Sequence, residues 1–289
     1  MASAPLFLIG TGRCGSTILH RVLSHHPHLA WPTATFNRQP HKLDYNRRVM
    51  NALELPVIGD LAWRKEQIGE VYGFWNRHYR GFSTPFRDLV ASDVDQRTRY
   101  ALLETFEKLE TKSRKQVMMK ITGFPRIGFL GEIWPGAKFV HLVRDGRPTA
   151  LSDMAMRWCD VWKGSDRWSW GPLTDEQRAI WTASGESFHV LAVLLWEKLI
   201  KNAWHVSADL DDQHYLELRY EDLCAEPKAT VDKILSFAGL DWHPSFARKF
   251  ESYDLRATND KWRKQVTDAQ AELMTRAIES TLQHYDYET

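Results

Sequence analysis

Cysteine is scarce in this sequence. There are three in 289 residues (Cys14, Cys159 and Cys224), far apart and without a CxxC pair. Such a set argues against a disulfide framework or a structural zinc site and fits a reducing compartment. Long apolar runs are missing too. The N-terminal MASAPLFLIGTGRCGST holds only a short apolar stretch between Pro5 and Gly10, too short for a signal-peptide core or a membrane span. No other stretch approaches the roughly 18 apolar residues of a spanning helix. These missing signals lead us to expect a cytoplasmic protein with no membrane span. An excess of either charge is also absent, the net being +1. No global field draws the chain to nucleic acid, and any anion must be bound by locally placed groups. Repeats, low-complexity tracts and Pro/Gly/Ser linkers are lacking, so one domain over 1–289 is the simplest expectation. A chain near 300 residues buries about 75% of its unfolded surface and needs no disulfides to fold.

What is present is a series of short apolar runs: Pro5 to Gly10, Val117 to Ile121, Lys138 to Val143 and His214 to Leu218. Near-continuous rather than alternating runs suit a parallel sheet covered on both faces. Helical stripes lie between and after them. They are Ile18, Leu19, Val22 and Leu23; Leu102, Leu103, Phe106 and Leu109; Val231, Ile234, Leu235 and Ala238; and Leu273, Met274, Ala277, Ile278, Leu282 and Tyr285. Strands alternating with such helices predict a doubly wound, mainly parallel α/β sheet with ligands beyond the carboxyl ends of its strands.

The first strand is followed by Gly10-Thr11-Gly12-Arg13-Cys14-Gly15-Ser16-Thr17 and then a helix. Glycines let backbone N–H groups close round an anion, and the helix adds its positive end. The loop nearly fits the nucleotide pattern GxxxxGK[ST], but Ser16 stands in the place of the lysine. That argues against an ATPase or ordinary kinase, while Arg13 supplies a cation from inside the loop. A tight strand–helix turn with no ligand is the plain alternative. The letters of GxGxxG also match, without the acidic residue a dinucleotide site wants some 20 residues on.

This loop resembles the 5′-phosphosulfate loop of the sulfotransferases that use 3′-phosphoadenosine-5′-phosphosulfate (PAPS). Arg13, Cys14, Gly15, Ser16 and Thr17 then contact the donor, with Cys14 replacing the usual serine. A second segment, Val143-Arg144-Asp145-Gly146-Arg147-Pro148-Thr149-Ala150-Leu151-Ser152, reads as a strand end, a turn and a helix opening near proline. A guanidinium and a hydroxyl can converge there on one phosphate, or Arg144 and Asp145 can simply pair. The segment resembles the family's 3′-phosphate motif, with Arg144 and Ser152 as ligands. A third, Leu218-Arg219-Tyr220-Glu221-Asp222-Leu223, resembles the family's strand–YEDL–helix segment, which implies that Tyr220 contacts adenine. Asp254 to Arg263 is similar to the closing loop over the 3′-phosphate, with Arg256, Lys261, Trp262 and Arg263 as candidates.

The resemblance implies sulfonate transfer from PAPS, without a metal, to a hydroxyl or amine of a small-molecule, glycan or lipid acceptor. Charge developing on the leaving oxygen calls for positioned cations. Arg13 is the first candidate, and Lys120, similar to the family's strand-end lysine, is the second. The family's usual bases, a glutamate soon after the first helix or a histidine two residues past that lysine, are replaced by Thr33-Ala34-Thr35 and Thr122. Glu70 is the first substitute, and His41 the second because imidazole titrates near neutrality. The alternatives are a catalytically silent nucleotide-binding protein of the same fold and a P-loop kinase-like phosphotransferase. Trp158, Trp162, Trp168, Trp170 and Trp181 mark an insertion at about 156–185, either an aromatic cover over the acceptor site or the packing of a short insertion.

Overall fold

The central strand, β1 (Leu6–Gly10), forms because all five of its residues are buried, a pattern that only a sheet covered on both sides accommodates. The chain is described from a computed structural model covering residues 4–55, 57–66, 69–83, 86–257 and 259–289. The other strands are β2 (Leu29–Ala30), β3 (Gln116–Thr122), β4 (Lys138–Val143) and β5 (Tyr215–Arg219). Their order is β2-β3-β1-β4-β5 and every pairing is parallel. β1 therefore lies between β3 and β4, with Leu8 level with Lys120 on one side and Val140 on the other.

The two-residue alternation of a strand sorts the core. Leu6, Leu8, Met118, Val140 and Leu142 pack against the helices Ser16–Leu23 and Pro227–Ala238 on one face. Phe7, Ile9, Met119, Ile121 and Phe139 meet Phe106 and Leu109 of the helix Gln96–Leu109, and Phe129 and Leu130, on the other. This is the expected doubly wound α/β sheet. The chain leaves β1 toward β3 and β2, then returns to add β4 and β5. The switch point thus falls beside the carboxyl ends of β1 and β4, where such sheets place ligands.

The structure corrects several details. β2 has two residues, too few for a legible run, and β5 begins one residue later than the apolar run predicts. The final stripe is two helices, Asp268–Ala277 and Glu279–His284, broken at Ile278. Leu103 and Leu273, placed on buried stripes, are more than a third exposed. The longest helix, Phe188–Ser207, carried no stripe because it is apolar on nearly all sides, being buried against the helices Gly146–Met154 and Asp268–Ala277. A Cβ on Gly146 would lie 2.6 Å from the Trp196 ring, so that approach needs glycine.

The tryptophans divide between the two readings. Trp168 and Trp181 are buried in the cluster around the helix Phe188–Ser207, whereas Trp158 and Trp162 are 50% and 64% exposed. Among the described residues, no helix is long and apolar enough to cross a membrane.

Candidate active site

The loop after β1 is shaped by two left-handed residues, Arg13 (φ 56) and Gly15 (φ 96). At Gly15 the need for glycine is steric as well, since a Cβ would stand 2.4 Å from the Tyr220 ring. The Ile18 and Leu19 N–H groups bond back to the Gly15 carbonyl. The N–H groups of the helix's opening residues have no carbonyl partner within the helix. Cys14 turns inward. Its thiol is fully buried, which pushes its pKa up, and is hydrogen-bonded with Ser16, so the loop offers backbone rather than a side chain there.

Residues distant in sequence converge on this loop. Arg13 donates from Nε to Ser152 Oγ at 2.8 Å. Arg144, at the end of β4, donates from a terminal nitrogen to the Arg13 carbonyl at 3.1 Å and from Nε to Asn259 Oδ1 at 2.9 Å. Its guanidinium lies 4.5 Å from the Tyr220 ring centre. Asp145 does not pair with Arg144. It accepts a fork from Arg147 (2.8 Å at the shorter end of the salt bridge), and the Arg147 guanidinium lies over Trp262. Glu221 gathers the surrounding segments, accepting from the Asp145 N–H, from Asn259 Nδ2 and from the Tyr287 hydroxyl. Thus Arg13, Arg144 and Ser152 come together as the motifs imply.

Several other candidates sit differently. Tyr220 is buried under Arg144 and against Gly15, and its hydroxyl donates to the Arg256 carbonyl at 3.3 Å. Trp262 is buried in the core, between Arg147 and Arg263, and anchors its segment. Arg256 pairs with Asp254 in solvent, Arg263 approaches Glu288, and Lys261 is exposed. His41 is exposed before the helix Leu43–Ala52, and among the described residues no hydrogen bond or ion pair joins it to the site. Thr258 of the same closing segment lies outside the described residues.

The second half of the site is built on β3. Lys120 is 2% exposed and points from the strand to the first helix, donating to Thr17 Oγ1 at 2.7 Å. Burying an ammonium costs several kcal/mol unless it is paired, and its partner is Glu70, 2.7 Å from Nζ. The same Glu70 oxygen lies 3.4 Å from Thr122 Oγ1, which also contacts the Tyr72 hydroxyl at 3.1 Å. Glu70 therefore occupies the space beside Thr122, two residues past the strand-end lysine. It also lines a cavity of about 220 Å³ with Thr33, Ala34, Asn37, Arg38 and Val71.

Four residues at or beside the site went unread in the sequence. Asn259 and Glu221 lie inside matched segments, and their roles appear only once those segments meet. Asp153 follows Ser152 and is wedged under the loop: a Cβ on Gly12 would stand 2.7 Å from Asp153 Oδ1 and 3.0 Å from Trp158. Among the described residues Oδ1 has no hydrogen-bond partner, and burial raises the carboxyl to about 7 against the pull of Arg13. His20, one turn into the first helix, is buried, and among the described residues neither ring nitrogen has a hydrogen-bond partner. Burial and then Lys120 drive its pKa well below normal, so it is neutral.

A loop opening a helix, two arginines and a buried lysine paired with Glu70 meet at the parallel switch point, where such sheets place ligands. The chain belongs to the sulfotransferase family, whose model matches residues 5–244. It is a sulfotransferase of α/β fold, which stands against the phosphotransferase alternative. The omega-hydroxy-beta-dihydromenaquinone-9 sulfotransferase of Mycobacterium tuberculosis is 24% identical over 274 residues, spanning 88% of this chain and 67% of that protein. Among solved structures, the sulfotransferase STF9 from Mycobacterium avium aligns with the whole chain and 78% of its own, at 14% identity and a TM-score of 0.61. The sulfotransferase domain of the curacin biosynthetic pathway aligns over 99% of this chain and 98% of its own, at 14% identity and a TM-score of 0.53.

Proposed function

We propose that the protein transfers a sulfonate group from PAPS to a hydroxyl or amine of a small-molecule, glycan or lipid acceptor, with Glu70 as general base. The observation that carries the donor assignment is the convergence of Arg13, Ser152 and Arg144 from three separate elements onto one loop. A nucleotide phosphorylated at both ends needs a cation set for each phosphate, and this cluster offers two guanidinium groups. The loop's N–H groups with Arg13 and Thr17 would hold the 5′ end, and Arg144 with Ser152 the 3′-phosphate. Arg256, Lys261 and Arg263 border that end.

The reaction forms an acceptor O–S (or N–S) bond and breaks the S–O bond to the nucleotide phosphate. The acceptor proton passes to Glu70, and the charge left on the phosphate oxygen faces Arg13 and Lys120. Preorganised cations at that oxygen supply the main electrostatic assistance. Lys120 both orients Glu70 and stands between it and the loop. The cavity lined by Glu70, Thr33, Ala34 and Asn37 is the acceptor's place. The tryptophan-rich segment at about 156–185 forms a cover, with exposed Trp158 against Gly12. A lipid acceptor is the first to test, because the mycobacterial relative is named for a menaquinone derivative.

The test is transfer of labelled sulfonate from PAPS to a panel of phenols, sugars and hydroxylated isoprenoids. Transfer to one class, lost in Glu70→Gln, supports the proposal. Tight nucleotide binding without transfer to any acceptor would instead mark a catalytically silent protein.

A further inference from the structure

The helix Ile58–Lys65 and the turn before it place apolar side chains in solvent: Leu55 is 51% exposed, Val57 75%, Ile58 53% and Leu61 62%. Single exposed apolar residues are ordinary, but four within seven positions form a patch. The other face of this helix turns toward the protein and borders a cavity of about 420 Å³. Gly59 is buried, its Cα close enough to the Leu53 carbonyl that a Cβ would stand 2.6 Å from it, and Trp63 donates to Ser24 Oγ at 2.8 Å. Asp60 is turned aside to Lys249 at 2.6 Å. At 3.6 residues per turn, the opposite face carries Ile58, Leu61, Arg64 and Lys65, all exposed.

The surroundings are basic. Residues 38–65 hold six Lys and Arg (Arg38, Lys42, Arg47, Arg48, Arg64, Lys65) against three acids (Asp44, Glu54, Asp60), a net of +3 in a chain of total +1. All six cations are exposed, and the short helices that bear most of them pack on one another in chain order. Glu66, next in sequence, is buried by hydrogen bonds from Thr35 and Tyr45 and adds nothing to this surface.

We propose that this face docks on a bilayer containing anionic phospholipid, with Leu55, Val57, Ile58 and Leu61 entering the interface. An apolar face flanked by Lys and Arg is the signature of an interfacial helix, and each cation near an anionic surface adds attraction. The placement has a consequence for the enzyme. Glu66, which follows the helix, accepts from Thr35, next to Ala34 of the acceptor cavity, so one short segment links the docking helix to the cavity wall. The docking itself does not rest on the identity of the donor or acceptor.

The experiment is co-sedimentation of the full chain with sucrose-loaded phosphatidylcholine vesicles, with and without phosphatidylglycerol, and no nucleotide present. Wild type should pellet with the anionic vesicles and be released by salt. Ile58→Asp with Leu61→Asp should weaken binding at least ~10-fold, and Arg64→Ala with Lys65→Ala about 30-fold. Circular dichroism and binding of 3′-phosphoadenosine-5′-phosphate (PAP) should be unchanged in both variants, since these side chains are exposed. No pelleting, or equal pelleting of the Ile58→Asp/Leu61→Asp variant, would overturn the proposal. So would a dimer in sedimentation equilibrium that this variant dissolves, which would make the face a contact between copies.

Discussion

The chemistry of the site rests on a few side chains whose environments differ sharply. Glu70 sits on a buried lysine and beside Thr122. Replacing it by glutamine keeps the shape and removes the base. We expect kcat in the transfer assay to fall about 10²–10⁴-fold with PAP affinity little changed. Loss of both together would make Glu70 merely a support for Lys120. Asp153 gives a second test, of stability. Burial raises it to about 7, whereas 3.8 is the ordinary value that it regains on unfolding. Between those values the folded protein keeps a proton that the unfolded chain releases, so this group makes stability fall as pH rises from about 4 to about 7. Asp88, raised by burial to about 6, adds a slope of the same sign. Asp153→Asn should flatten thermal stability across this window and exceed wild type above pH 7. Parallel wild-type and variant curves would contradict the assignment.

At the scale of elements, what was legible followed from how local each signal is. β1 and its loop could be read outright, because four apolar residues, three glycines and a helical stripe occupy one short stretch. Arg144 and Ser152 were legible for the same reason, both lying in one strand–turn–helix segment. Glu70 was named from its surroundings alone, because its partnership with Lys120 crosses 50 residues of chain and no local pattern encodes it. Tyr220 and Trp262 stand in matched motifs, but their packing is not local: the first lies beneath Arg144 and against Gly15, and the second is buried in the core. The close approach of Gly15 to Tyr220 can be tested directly. Gly15→Ala adds a Cβ 2.4 Å from the ring at a φ of 96, so left-handed strain of about 1–2 kcal/mol and overpacking should both appear. A lower Tm and loss of PAP binding are expected. Unchanged binding would show that the loop does not hold the nucleotide.

Across the whole molecule, the sheet order does the assembling. Because β1 lies between β3 and β4, residues 13, 120 and 144 arrive at one edge although more than 100 residues separate the first from the others. The C-terminal segment closes over them through Asn259 and through Tyr287 on Glu221. Folding therefore builds the proposed donor site, and a nucleotide bound there should stabilise the whole chain by mass action. The central claim is that this edge is a site for a nucleotide with a 3′-phosphate. Calorimetric titration with PAP, with 5′-AMP as the control, tests it most directly. Binding that needs the 3′-phosphate and weakens ~10- to 100-fold in Arg144→Ala, as loss of a charged hydrogen bond demands, is the expected result. Equal affinity for 5′-AMP, or an Arg144→Ala variant that binds as wild type does, would contradict it.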